Sequence, residues 1–321
     1  MSATLTRTVA EFDLIERIRR RVGIDDSVPV GIGDDAAVIT PSAGKALVAT
    51  TDSLVLDRHF TADWLPADIG HLAMHANLSD LAAMGADPRW ALLALTLPED
   101  DVAWLEGFLD GFLAAAENSG VVLVGGNISS GPLNIAVELL GEVSPDHIAT
   151  RRGAQPGDWL VVTGTLGDAA AALALREKAP QDLARRLRRP EARIRAGRVL
   201  AQSVHAMIDI SDGLLADLGH LLGDHLGAEV RLSDLPVSDA LRDAVSDAAA
   251  RWRFQAGGGN DYELLASMPA QSSASLEDLA DQADITLSVI GRIDGSGQIR
   301  CLDDKNREVH DLKPGWDHFS S

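Results

Sequence analysis

Residues 68–96 read DIGHLAMHANLSDLAAMGADPRWALLALT, and the fold follows from how this stretch changes texture. Asp68 to Met84 carries apolar residues at helical spacing, with Asn77 and Asp80 three apart and therefore on one helix face, where they can share a ligand. Trp90 to Thr96 reads as a strand. Working outward, the same alternation continues. Upstream, Glu11 to Arg20 is an amphipathic helix stopped by Gly23. Val28 to Val30 and Ala36 to Ile39 flank the turn Gly31-Ile32-Gly33-Asp34-Asp35, and Ala46 to Thr51 is a buried strand ending on Thr50-Thr51-Asp52. Downstream, Asp101 to Glu117 is a helix, Val121 to Val124 a short strand running into Gly125-Gly126-Asn127, and Leu133 to Val143 a further strand.

Ser144 to Asp158, rich in Pro, Gly and Arg, reads as a connection, which puts a boundary near residue 150 and two domains at 1–148 and 149–321. The second domain repeats the grammar: strand Trp159 to Thr163, turn Gly164 to Asp168, helix Ala169 to Glu177, strand Ala206 to Ile210, turn Ser211-Asp212-Gly213, helix Leu214 to Leu222. A glycine run, Gly257 to Gly259, precedes Asn260-Asp261. Ile285 to Ile293 and Gln298 to Leu302, joined by Asp294-Gly295-Ser296-Gly297, read as a hairpin. Interleaved strands and helices in both halves make the fold α/β or α+β, not a bundle or a sandwich.

The chain has 321 residues, 46% apolar, with a formal charge of −20. That is material for two cores, and the charge disfavours nucleic-acid binding by bulk attraction. The single cysteine, Cys301, makes no internal disulfide. The N-terminal segment lacks an apolar signal core and no stretch is long and uncharged enough to span a bilayer, so the expected compartment is the cytoplasm and no membrane partner is expected. The one strongly basic segment, Arg185 to Arg198, reads as a solvated helix face.

Gly31-Ile32-Gly33-Asp34-Asp35-Ala36 matches a loose dinucleotide pattern, but paired carboxylates would repel a pyrophosphate and the residues that follow look extended, not helical. No P-loop, kinase catalytic loop, nucleophile elbow or H-E-x-x-H occurs. His71 and His75, four apart, lack a third ligand and read as ordinary helix histidines. The acids carry the signal instead: Asp34, Asp35, Asp52, Asp80, Asp209 and Asp212 fall at strand ends, in glycine turns or on a helix face. Oxygen ligands of this kind suit several Mg²⁺ ions, and with glycine turns they make a site for a nucleoside triphosphate that needs no Walker lysine.

The segments GIGDDAAVI (31–39), TTDSLV (50–55) with HF (59–60), NLSDLAAMGADPRW (77–90), LALTLP (93–98), VGG (124–126), RRGAQPGDWL (151–160), VTGTLGD (162–168), IDISDGLLADLGH (208–220), GG (258–259) with NDYELL (260–265), and GWDHF (315–319) occur in this order. Together they resemble the thiamine-monophosphate kinases, relatives of aminoimidazole ribonucleotide synthetase, selenophosphate synthetase and the hydrogenase-maturation dehydratase, from about Glu11 to Phe319. The resemblance implies a two-domain aminoimidazole-ribonucleotide-synthetase-like fold. Its N-terminal ATP/Mg-binding domain contributes strands to a dimer-spanning β-barrel, and its C-terminal domain is α/β. It also implies direct transfer of the ATP γ-phosphoryl group to thiamine monophosphate, giving thiamine diphosphate and ADP, by a homodimer. On matched positions, Asp35, Thr50, Thr51, Asp52, Asp80, Asn127, Asp209 and Asp212 would hold Mg²⁺, with Asp34 a neighbour. Gly126, Asn127, Arg151 and Ser211 would contact ATP, and His59, Asn260 and Trp316 would meet thiamine monophosphate.

Three positions depart from the family pattern. Asn127 replaces a metal-binding aspartate, Ile128-Ser129-Ser130 replaces a Thr-Thr-Arg, and Asn260 replaces a glutamate at the substrate position. Two rival readings follow: a divergent relative acting on another phosphorylated acceptor, or a protein that binds thiamine phosphate or ATP without turnover.

Overall fold

The structure, a computed structural model, describes residues 11–23, 25–98, 101–270 and 275–316. Asp317 to Phe319 of the last motif lie outside the described residues. The chain divides into two compact units, Met1–Asn77 with Pro88–Glu142 and Leu78–Asp87 with Val143–Ser321.

The first unit contains α1 (Glu11–Arg21), β1 (Ala46–Val55), most of α2 (Pro66–Ala83), β2 (Asp87–Leu97), α3 (Val102–Asn118), β3 (Val122–Ser130) and β4 (Asn134–Val143). Its sheet runs β1-β4-β2-β3, with β2 and β3 parallel. Side chains of a strand alternate between faces, and here one face is closed and the other open. Leu93, Leu95, Ile135, Val137 and Leu139 are buried, while Ala94 and Glu138 are exposed and Leu92, Ala136 and Leu140 half-exposed. The helices meet at glycines: a Cβ on Gly111 would lie 1.8 Å from the Ala67 carbonyl oxygen, and one on Gly70 2.1 Å from that of Phe108. Arg21 ties α1 to α3 through Glu106 at 2.9 Å and Asp110 at 2.6 Å.

The second unit contains β5 (Trp159–Thr163), α4 (Asp168–Leu175), α5 (Gln181–Arg188), α6 (Ile194–Leu200), β6 (Ala206–Ile210), α7 (Leu214–Leu222), β7 (Gly227–Arg231), α8 (Asp239–Ala244), α9 (Ala248–Gly257), β8 (Glu263–Met268), α10 (Leu276–Ala283), β9 (Leu287–Asp294) and β10 (Ile299–Leu302). Its sheet runs β10-β7-β9-β5-β8-β6 and is sandwiched. Leu160, Val162, Ile208 and Leu265 pack with Leu214 and Leu218 of α7, whereas Val161, Met207, Leu264 and Ala266 pack with Ala196 of α6 and Leu279 of α10. The end of α2 belongs here: a Cβ on Gly197 would lie 2.0 Å from the Ala82 carbonyl oxygen, and Ala149 N–H donates to the Met84 carbonyl.

Four sequence expectations need correction. The final hairpin does not form, because β7 lies between β9 and β10, pairing antiparallel with the first and parallel with the second. The Asp294–Gly297 connection steps over its end, where a Cβ on Gly227 would meet Ser296 Oγ at 2.1 Å. β1 continues past Asp52 to Val55, and β3 runs through Gly125-Gly126-Asn127 to Ser130, so both motifs lie within strands and not at strand ends. The Arg185–Arg198 segment is not wholly solvated. Arg186 and Arg193 turn inward onto Glu263, which is fully buried, at 2.8 and 2.6 Å.

Candidate active site

In the second unit, four of the expected site residues hang on one turn. β6 ends at Ile210 and Ser211-Asp212-Gly213 leads into α7, with Gly213 at φ +125°, a backbone that L side chains rarely adopt. One oxygen of the Asp217 carboxylate accepts the N–H groups of Ser211, Asp212 and Gly213 at 3.1, 3.2 and 3.1 Å. Burial, and then the charge of Asp212, push Asp217 up to about 7 against the pull of those three amides.

The carbonyls of the same turn face the other way. Ser211 accepts from Asn260 N–H at 2.8 Å and Asp212 from Trp316 N–H at 2.9 Å. The approach requires glycine, since a Cβ on Gly259 would lie 2.6 Å from the Ser211 oxygen and one on Gly315 2.9 Å from that of Asp212. Trp316 leaves 54% of its surface exposed, a flat apolar face beside the turn. Two residues before the turn, Asp209 is buried in β6, and its carboxylate accepts from Ser79 Oγ at 2.8 Å. That bond brings Asp80, the next residue on α2, to the same end of β6. Asn77, one turn earlier, is also buried and donates to the Ala73 carbonyl at 3.1 Å, while its Oδ1 has no partner among the described residues.

Asn260 and Tyr262 both adopt positive φ, 66° and 51°, on either side of Asp261. Asp261 is buried and accepts from Gly167 N–H at 2.9 and 3.1 Å, and burial holds its carboxyl well above the usual range. Glu263 then anchors β8 through Arg186, Arg193 and Thr163 Oγ1. Arg151 is placed differently. Thr150, just before it, accepts from Met207 N–H near the start of β6, the end remote from Ser211 and Asp212.

In the first unit, Asp34, Asp35, Gly126 and Asn127 all border one cavity of about 940 Å³. Gly126 has φ +154°, and a Cβ there would lie 1.9 Å from the Leu93 carbonyl oxygen. The β1 residues are elsewhere: Thr50 and Asp52 share one face of that strand, and Thr51 points to the other. β1 and β3 are opposite edges of the sheet, which separates Asp52 from Asn127 by three strand spacings, roughly 14 Å. His59 lies in the turn after β1, where its Nδ1 accepts from Val55 N–H at 3.0 Å, leaving Nε2 as the donor.

Among the described residues no three His, Cys, Asp or Glu side chains gather as a metal-ready cluster, and His71 and His75 stack on each other at 4.1 Å. The donor set nevertheless fits Mg²⁺, which takes one or two carboxylates and completes its shell with water and phosphate oxygens. Asp209 in β6 with Asp212 in the turn that follows it, and Asp34 with Asp35 bordering the cavity, offer carboxylates of that kind, two at a time. Asp217 and Asp261 were not singled out in the sequence. The signal for the first was an acid in the opening turn of the helix after Ser-Asp-Gly, and for the second an acid between a glycine run and a strand.

The first unit carries the AIR synthase related protein N-terminal domain, matched over residues 33–143, and the second the C-terminal domain, matched over 155–304. The chain is therefore a two-domain AIR synthase related protein. It is 39% identical to the thiamine-monophosphate kinase of Escherichia coli over 322 residues, 97% of this chain and 98% of that one. The crystal structure of thiamine-monophosphate kinase from Stenotrophomonas maltophilia superposes with a TM-score of 0.84 at 42% identity, covering 91% of this chain and 96% of that one. AaThiL complexed with AMPPCP and TMP superposes with a TM-score of 0.74 at 32% identity, covering 98% and 100%. The chain belongs to the thiamine-monophosphate kinase family.

Proposed function

We propose that the chain transfers the γ-phosphoryl group of ATP to thiamine monophosphate, giving thiamine diphosphate and ADP, and that it works in the cytoplasm as a homodimer. The observation that carries this reading is the Ser211–Gly213 turn. It joins Asp212, an acid expected to hold a cation, to Asn260 and Trp316, the two residues expected to meet the substrate, while a relative of the same fold holds AMPPCP and TMP.

Asp35, Thr50, Thr51, Asp52, Asp80, Asn127, Asp209 and Asp212 would hold Mg²⁺, which when bound neutralises the polyphosphate charge that an acidic protein would otherwise repel. Gly126 and Asn127 would present strand backbone and an amide to ATP, with Ser211 offering its hydroxyl and Arg151 its guanidinium. Trp316 offers its indole face to a thiamine ring. Asn260 and the Nε2–H of His59 offer hydrogen bonds to the rest of the substrate. No general base is required, because the attacking atom is already a phosphate oxygen, so catalysis is positioning and charge neutralisation.

The homodimer is supported by the open face of the first sheet and by its edges. A sheet whose outer residues Leu92, Ala136 and Leu140 are half-exposed gains by closing on a second copy, and the closure we propose has β1 of one copy beside β3 of the other. That would reunite the Thr50–Asp52 and Gly126–Asn127 segments. The domains are assigned as 1–148 for ATP, Mg²⁺ and dimerisation and 149–321 for the C-terminal α/β domain.

Incubation of the protein with ATP, Mg²⁺ and thiamine monophosphate, followed by chromatography, is expected to show thiamine diphosphate and ADP in equal amounts. ADP without thiamine diphosphate when a different phosphomonoester is supplied would instead favour the divergent-acceptor reading, which the amide of Asn260 raises. Nucleotide binding without ADP formation would favour a non-catalytic binder.

A further inference from the structure

A glycine turn that feeds a helix ordinarily turns its bare amides outward and makes an anion site. The turn before α7 does the opposite. All three of its N–H groups converge on one carboxylate oxygen of Asp217, the fourth residue of that helix, which is itself 3% exposed. An internal carboxylate thus fills the position a phosphate would take, and what the turn has left to offer is oxygen: the Asp212 carboxylate, the Ser211 hydroxyl and, two residues back, Asp209.

We propose that Asp217 is a positioning residue that makes this turn a cation-facing element, so that a nucleotide meets it through a divalent cation and not through backbone amides. The proposal rests on the phosphoryl-transfer reading above only for the identity of the nucleotide; the cation preference stands on the hydrogen bonds alone. By the same bonds Asp217 fixes the carbonyls of Ser211 and Asp212, from which Asn260 and Trp316 are suspended. A single buried side chain therefore sets both the metal-facing and the substrate-facing sides of the turn.

The residue acts by accepting hydrogen bonds, so its amide analogue should substitute for it. In Asp217→Asn the side-chain oxygen still accepts the three N–H groups. In Asp217→Ala nothing does, and in Asp217→Glu the carboxylate is displaced by one methylene. Full-length protein is titrated calorimetrically with Mg²⁺ in the presence of ADP, with thermal unfolding recorded for each variant. Loss of a group that orients metal ligands typically costs 10–100-fold in metal affinity, so Asp217→Ala is expected to bind Mg²⁺ at least about 10-fold more weakly. Asp217→Asn should remain within about twofold of the parent, and Asp217→Glu should fall between them.

Folded Asp217→Ala or Asp217→Glu with parental Mg²⁺ affinity overturns the proposal. So does weakened binding in a stable Asp217→Asn, which would make the charge itself a partner of the cation. If neither the alanine nor the glutamate form folds, Asp217 is a folding residue and the proposal also fails. Thiamine diphosphate formation by the parent protein is measured separately. Its absence with the Mg²⁺ pattern intact would remove the assigned reaction and leave the role of Asp217 standing.

Discussion

Asn260 and Tyr262 bracket Asp261 in left-handed backbone, and that local cost is borne where a substrate is expected to sit, a location where strain and function commonly coincide. Glycine at 260 relieves it. Asn260→Gly is expected to leave stability unchanged or raise it by up to about 1 kcal/mol, while the KM for thiamine monophosphate rises and that for ATP does not; steady-state kinetics and thermal melts read the two effects. Asp261 makes a second test. Its carboxyl is held well above the usual range by burial, so the native state keeps a proton that the unfolded chain releases. Its contribution is therefore most favourable at low pH and is lost as pH rises through that raised value. Asp261→Asn should raise Tm at about pH 7 and change it little at about pH 3, where the acid is protonated in both states. Asn260 was reached through the family resemblance, as the residue after the glycine run, whereas Asp261 and Asp217 were not reached at all. Each acts inward on backbone amides, and no periodicity distinguishes a carboxylate that caps a turn from one that faces solvent.

At the scale of elements, what the sequence shows plainly is whatever depends on local pattern. β6 and α7 were legible to the residue, because a short β-branched and apolar run interrupted by the single acid Asp209 and stopped by Ser-Asp-Gly leaves one reading. The β9–β10 hairpin failed for the converse reason: pairing partners are chosen by the sheet, and β7 comes from some sixty residues upstream of β9 by the element bounds, 227 against 287. β3 extended through its glycines because Gly126 accepts a positive φ in contact with β2, which only a backbone without a Cβ permits. Gly126→Ala is accordingly expected to displace the strand and to lose nucleotide binding, measured by calorimetry with ADP. Where α2 and α3 cross, Gly111→Ala forces its methyl onto the Ala67 carbonyl and should cost about 1–3 kcal/mol in chemical unfolding, with little effect on KM in whatever protein remains folded.

For the whole molecule, the expected mass in sedimentation is twice 34.0 kDa. A charge placed on the open sheet face, Leu140→Asp, is expected to yield monomers with diminished activity, since Thr50–Asp52 of a second copy would no longer complete the proposed site. The two-domain α/β fold was readable from the order of its elements, but the division of α2 between the units was not. That division bears on how the chain is made. Leu78–Asp87 leaves the ribosome well before Ile194–Leu200 and Ala206–Ile210, against which Ala82 and Ser79 are to pack. At ordinary rates of synthesis the interval is on the order of ten seconds. During the first part of it β3 and β4 of the first unit are themselves still being made, and until it ends the last turn of α2, Ala82 included, has no second-unit partner to cover it. The nascent chain is most exposed to chaperones and to aggregation in that window, and cutting it at the connection after Val143 would leave the second unit permanently without a piece of its own core.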